Sequence, residues 1–143
     1  MKGQPINIDQ SLNAPSERVW KAITDKDEMK LWYFDIGEFK PEVGFEFRFL
    51  GGTEEKKYLH ICKITELVTG KKIAYSWRYD TYEGMSHVTF ELFKEGNQTR
   101  LRLTHKGIET FPQDDPNFAR GSFSKGWTYL IGTALKRFVE LMG

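Results

Sequence analysis

Between residues 44 and 107 apolar and polar positions exchange places every second residue, in five successive segments. "GFEFRFL" (44–50) sets Phe45, Phe47 and Phe49 against Glu46 and Arg48. "KYLHICKITEL" (57–67) puts Tyr58, His60, Cys62 and Ile64 on one side. "IAYSWRY" (73–79) does the same with Ile73, Tyr75 and Trp77, and "HVTFELF" (87–93) with Val88, Phe90 and Leu92. "TRLRLTHKG" (99–107) sets Leu101, Leu103 and His105 against Arg100, Arg102 and Thr104. A period of two is the mark of a strand with one buried face. The breaks "TGKK", "YEGM" and "KEGNQ" are short and turn-forming, so the segments read as an antiparallel meander. The outward Arg100 and Arg102 are expected opposite Glu91 and Thr89. "INIDQSLN" (6–13) alternates in the same way and adds a strand at the start.

Elsewhere the period lengthens. In "APSERVWKAIT" (14–24), Pro15 suits a first helical turn and Glu17 its positive end, and Val19, Trp20 and Ile23 form an apolar stripe. Asp25 with Glu28 three residues on predicts a second short helix carrying Met29, Leu31 and Trp32. "IETFPQDDPNF" (108–118) is a loop long enough to serve as a rim or lid. A closing helix is predicted from about Ala119 to Met142. At about 100° per residue, Phe123, Trp127, Leu130, Ile131, Ala134, Phe138 and Leu141 share one face, with Gly126 and Gly132 on its shoulders. Each glycine costs about 1 kcal/mol against alanine inside a helix. Close approach to the sheet, or freedom to move, would offset that cost.

The expected architecture is α+β: a curved antiparallel sheet of about six or seven strands wrapped around a long C-terminal helix, with two short helices after the first strand. One domain is expected over 1–143. A helix packed on a sheet buries one face of each.

Composition narrows the function classes. The formal net charge of +1 lacks the basic field of a nucleic-acid binder, so no nucleic-acid partner is expected. The single cysteine, Cys62, rules out an internal disulfide and a multi-cysteine metal site, and fits a reducing cytoplasm. The stretch "MKGQPINIDQ" has no apolar core of a signal peptide, and no apolar run is long enough for membrane insertion. The motifs HExxH, CxxC, GxSxG and GxGxxG are absent, so no catalytic motif is recognisable and no cofactor or metal is expected. Aromatics reach 15%, with eleven Phe, six Tyr and four Trp. That excess over core filling hints at an aromatic-walled pocket.

Several pieces carry a resemblance: "APSERVWKAIT", "GFEFRF", "ITELVTGKKIAYSWR", "HVTFELFKEGNQTRLRLTHKG" and "GWTYLIGTALKRFVE". Together they resemble the helix-grip superfamily (SRPBCC) that includes START domains, birch-pollen allergens and polyketide cyclases. Within it the chain looks most like the branch named after the activator of the heat-shock protein 90 ATPase. The resemblance covers nearly the whole chain and marks the fold more than the activity. It implies a deep pocket between the concave sheet face and the last helix, where many relatives hold lipids, polyketides or other apolar molecules. Some relatives catalyse cyclisation or hydrolysis there. The co-chaperone that names the branch has a further large N-terminal domain, for which 143 residues are expected to leave no room.

The pocket-lining candidates are Trp32, Phe45, Phe47, Phe49, Tyr58, His60, Tyr75, Trp77, Phe90, His105, Phe111, Trp127 and Ile131. Three function classes stay open. A binding module would hold a small apolar or amphipathic ligand. An enzyme would use Tyr58, His60 and His105 as acid–base groups. An interaction module would engage a chaperone. A monomer or a weak homodimer through a sheet edge fits all three. Trp127 is placed near the pocket mouth, with the 108–118 loop and the upper half of the closing helix as gate. The lower half, around Phe138 and Leu141, is expected to be core.

Overall fold

The computed structural model describes residues 4–52 and 56–141, so Met142 lies outside them. Six strands form one antiparallel sheet: β1 (Ile6–Leu12), β2 (Glu46–Gly52), β3 (Lys57–Val68), β4 (Lys72–Tyr79), β5 (Ser86–Glu95) and β6 (Gln98–Lys106). Their spatial order is β1-β6-β5-β4-β3-β2. Sequence neighbours from β2 to β6 pair with one another, and β1 closes onto β6 with Ile8 opposite Leu103. The inward face carries the apolar set that alternation selects. A bulge between Ile64 and Glu66 shifts the β3–β4 register, so that Leu67 rather than Glu66 packs toward the core.

On the outer face the register is shifted by two from the expected one: Arg102 lies opposite Glu91, Arg100 opposite Phe93, and Thr89 opposite Thr104. Its guanidinium sits 4.3 Å from the Phe93 ring centroid. Asp9 of β1 is 2.9 Å from Arg102 and 3.6 Å from Arg100, and Arg100 also donates to Glu95 at 3.4 Å. Pairing of the first strand with the last, which the local pattern cannot show, brings the Asp9 carboxylate in.

α1 (Ser16–Thr24) starts after Pro15, whose carbonyl accepts from the Arg18 and Val19 amides. α2 (Lys26–Trp32) begins after one residue, Asp25, whose carboxylate caps the Glu28 amide at 3.2 Å. Arg18 and Glu28 pair across the two helices at 2.5 Å. Met29 and Trp32 are buried, whereas Leu31 is 67% exposed and stands outside the core.

The closing helix is not uniform. It runs as α3 (Arg120–Tyr129), a π-helical segment (Leu130–Leu135) and α4 (Lys136–Leu141). Its buried residues are Phe123, Trp127, Ile131, Leu135, Phe138 and Val139. The first four are spaced by four. In a uniform helix each such step drifts by about 40° around the axis. The wider i→i+5 turn absorbs that drift and keeps one line of side chains on the sheet. It also rotates the last turn, so Leu141 is 76% exposed, not core, while Leu135 and Val139 are buried.

Candidate functional site

The space between sheet and closing helix is occupied largely by residues 33–45, a stretch without regular structure. Tyr33, Ile36 and Phe39 are buried. The Tyr33 hydroxyl meets that of Tyr75 at 2.7 Å, and its ring lies 6.1 Å from Trp127. Phe39 packs edge-on to Phe47 at 5.1 Å, with the half-buried Phe45 beyond it. Phe47, Phe49, Tyr75 and Phe90 therefore belong to a filled aromatic layer. Trp32 leans on Tyr33 and donates its indole N–H to the Ala22 carbonyl at 2.7 Å. Ile131 is fully buried in the same layer.

Toward the other end a cavity of about 210 Å³ remains. Phe34, His60, Trp77 and Tyr79 form its sheet side, Phe123, Trp127 and Leu130 its helix side, and Gly52, Asn117, Ser122 and Gly126 complete the lining. A smaller recess of about 130 Å³, reached by Tyr58 and Phe118, shares Gly52, His60, Tyr79 and Asn117 with it. Phe34 stacks on Phe49 at 4.4 Å, and Phe49 stacks on His60 at 4.4 Å. At Gly126 a Cβ would meet nothing within 4 Å, so close helix–sheet approach does not explain that glycine. Gly126 borders the cavity instead. A Cβ at Gly132 would touch the Gln10 side chain at 3.4 Å, so the helix runs close to β1 there.

The two inward histidines differ in what they do. His105 has both ring nitrogens engaged. Its Nδ1 accepts from the Trp127 indole N–H at 2.9 Å, which places the proton on Nε2, and Nε2–H donates to the Ser86 hydroxyl at 2.7 Å. Ser86 donates onward to the Trp77 carbonyl at 3.1 Å. Burial pushes the His105 pKa down to about 3. This chain aims Trp127 at the cavity and leaves His105 without a free nitrogen for proton transfer. His60 does reach the cavity. Its Nδ1–H donates to the Tyr58 carbonyl at 3.0 Å, and burial lowers its pKa to about 4. Burial likewise raises the Tyr79 hydroxyl above its ordinary value, and that oxygen accepts the Trp77 indole N–H at 2.9 Å. Among the described residues the cavity wall holds no Lys, Arg, Asp or Glu, and with His60 neutral this described lining carries no charge at neutral pH.

The 108–118 stretch is built from two 3₁₀ turns, Ile108–Thr110 and Pro116–Phe118, and is pinned at both ends. The Thr110 hydroxyl accepts from the Met85 amide at 2.9 Å. Gly84, at φ +106°, lies so close to Thr110 that a Cβ would come within 2.5 Å of its carbonyl oxygen. At the far end the Asn117 amide donates to the Tyr58 hydroxyl at 2.9 Å, which donates to Asp115 at 3.2 Å. Phe111 and Phe118 are buried against Tyr79 at 5.1 and 4.8 Å. Asn117 alone from this stretch lines the main cavity.

Of the thirteen candidates, His60, Trp77 and Trp127 line that cavity, and Tyr58 lines the recess. Trp32, Phe45, Phe47, Phe49, Tyr75, Phe90, His105, Phe111 and Ile131 stand behind the wall or in the filled layer. Tyr79 was missed although it continues the parity of Tyr75 and Trp77. Phe34 and Asn117 sit where no period gives a direction, and Ser122 lies on the closing helix but outside the apolar face read from its wheel. Among the described residues no group of three or more His, Cys, Asp or Glu side chains converges as a metal site would require. No described helix is long and apolar enough to cross a membrane.

A family model described as Activator of Hsp90 ATPase homolog 1-like protein matches residues 13–140. No curated protein matches. Among solved structures, protein CV1439 of Chromobacterium violaceum is 25% identical, with 95% of this chain and 96% of that one covered and a TM-score of 0.77. The Aha1 dimer of Colwellia psychrerythraea, solved in solution, is 21% identical over 96% of this chain and 97% of its own, with a TM-score of 0.73. DynU16, described as a protein in the dynemicin biosynthetic locus, is 18% identical with a TM-score of 0.77. This chain is covered to 95% in that alignment but spans only 47% of DynU16. The latter two likenesses are of fold.

Proposed function

Because the chain belongs to the Activator of Hsp90 ATPase homolog 1-like family, we propose that it is a binding module for a small, neutral, apolar or amphipathic molecule held between sheet and closing helix. The observation that carries this reading is the aromatic cavity of about 210 Å³, whose lining among the described residues is uncharged, with Asn117 and Ser122 at its edge. Apolar walls with few polar anchors are the usual composition of small-molecule sites. Without a fixed counter-charge, an ionised ligand would lose its hydration uncompensated. The volume sets the scale of the guest. A dry apolar cavity of about 150 Å³ holds a benzene ring, whereas drug-sized ligands occupy about 300 Å³ or more. The guest is therefore a one- or two-ring molecule, or one end of a lipid or polyketide that displaces Asn117 and the first turn of α3.

The test is titration of the protein with toluene, benzyl alcohol and naphthalene, followed by tryptophan emission, since Trp77 and Trp127 both face the cavity. Saturable binding is expected. Gly126→Phe, which fills open space, should abolish it while the fold persists by circular dichroism. Absence of saturation with every ring compound, or binding indifferent to Gly126→Phe, refutes the assignment.

A further inference from the structure

A second groove lies on the opposite flank of the closing helix from β1. It is framed by α2 and the helix's C-terminal half and has a volume of about 340 Å³. Leu31, Trp32, Tyr129, Ala134, Phe138 and Leu141 line it, with Arg137 at the rim. Leu31, Tyr129 and Leu141 are 67%, 60% and 76% exposed, which gathers three of the chain's large exposed apolar side chains in one place. Scattered single exposures need no explanation, but a contiguous apolar patch with a polar rim marks an interaction surface. Arg137 at that rim, and Asp27 on the neighbouring α2, have no ion-pair partners among the described residues. Asp27 stands one turn before Leu31, on the same side of α2.

That arrangement is self-complementary. A ridge, Leu31, borders a groove, and an unpaired acid and an unpaired base flank the same apolar floor. A two-fold axis makes residue i of one copy meet residue j of the other, and the reverse. We propose that this face joins two copies of the chain, with Leu31 of each copy entering the partner's groove and Asp27 of each pairing with the partner's Arg137. The apolar floor supplies the burial and the two symmetry-related ion pairs fix the register. The surface is distinct from the cavity of the proposed function and from the sheet edges.

The experiment is sedimentation equilibrium of the full chain up to millimolar concentration. Wild type is expected to dimerise with a micromolar-range constant. Leu31→Glu and Tyr129→Glu, both at exposed positions, should each weaken the dimer about tenfold or more with an unchanged circular-dichroism spectrum. Asp27→Arg and Arg137→Asp should each weaken it too, and the double exchange should restore it to within about threefold of wild type. Three results overturn the proposal: a monomer at every concentration, even if another protein occupies the groove; a dimer untouched by Leu31→Glu and Tyr129→Glu; or a double exchange no better than its weaker single.

Discussion

Alternation places His105 on the inner face, but its work follows from what stands on either side. It bridges Trp127 on the closing helix to Ser86 on β5, and each contact needs the neutral Nε2–H tautomer. Replacing His105 by Phe keeps the volume, strands the Trp127 indole N–H and leaves the Ser86 hydroxyl only its bond to the Trp77 carbonyl. Urea denaturation is expected to show a loss of about 3 kcal/mol. Acid acts on the same group. The folded pKa values of about 3 for His105 and about 4 for His60 lie below the unfolded value near 6.5. Between those limits the unfolded chain binds more protons, so stability rises with pH and is lost as pH falls. Full stability is expected above about pH 6.5, with a loss of up to about 1.4 kcal/mol per pH unit from each histidine below it. The loss should run to about pH 4 for His60 and to about pH 3 for His105. Urea midpoints measured from pH 7 to pH 4 check the slope, and His60→Phe should remove its share.

At the scale of elements, the strands were legible because a period of two over five segments admits one reading. The helix caps were legible because Asp25 and Glu28 stand at capping spacing. The filling of the pocket was not. Tyr33, Phe34, Ile36 and Phe39 lie in a stretch with neither period, so nothing local says that they turn under the sheet. The closing helix was legible as apolar but misaligned at its end, because a wheel of constant pitch cannot anticipate a wider turn. Two glycines sharpen the contrast between backbone need and tolerance. Gly84→Ala meets both a positive φ and a backbone oxygen at 2.5 Å, and should cost about 2 kcal/mol or more. Gly126→Ala adds a methyl to open space inside a helix, and should stabilise by about 0.5–1 kcal/mol. Thermal melts of the two variants should shift in opposite directions.

At the scale of the molecule, the sheet is completed only when β1 reaches β6, with partners from Leu12↔Thr99 to Ile6↔His105 far apart along the chain. Non-local pairing of this kind folds slowly, so refolding after a denaturant jump is expected in milliseconds to seconds, not microseconds. Stopped-flow tryptophan fluorescence measures it. The family likeness in sequence predicted this architecture well and the size of the void poorly. Void size depends on how far residues 33–45 intrude, and a few side chains decide that. The π-helical segment carries a different consequence, in the currency of insertions and deletions. A wide turn is a helix holding one residue more than its pitch requires. Deleting Gly132 would let the segment close into ordinary α pitch while Leu135, Phe138 and Val139 keep their places. The closing helix is thus expected to tolerate the loss of one residue at this segment, and relatives one residue shorter there would share the same inward face.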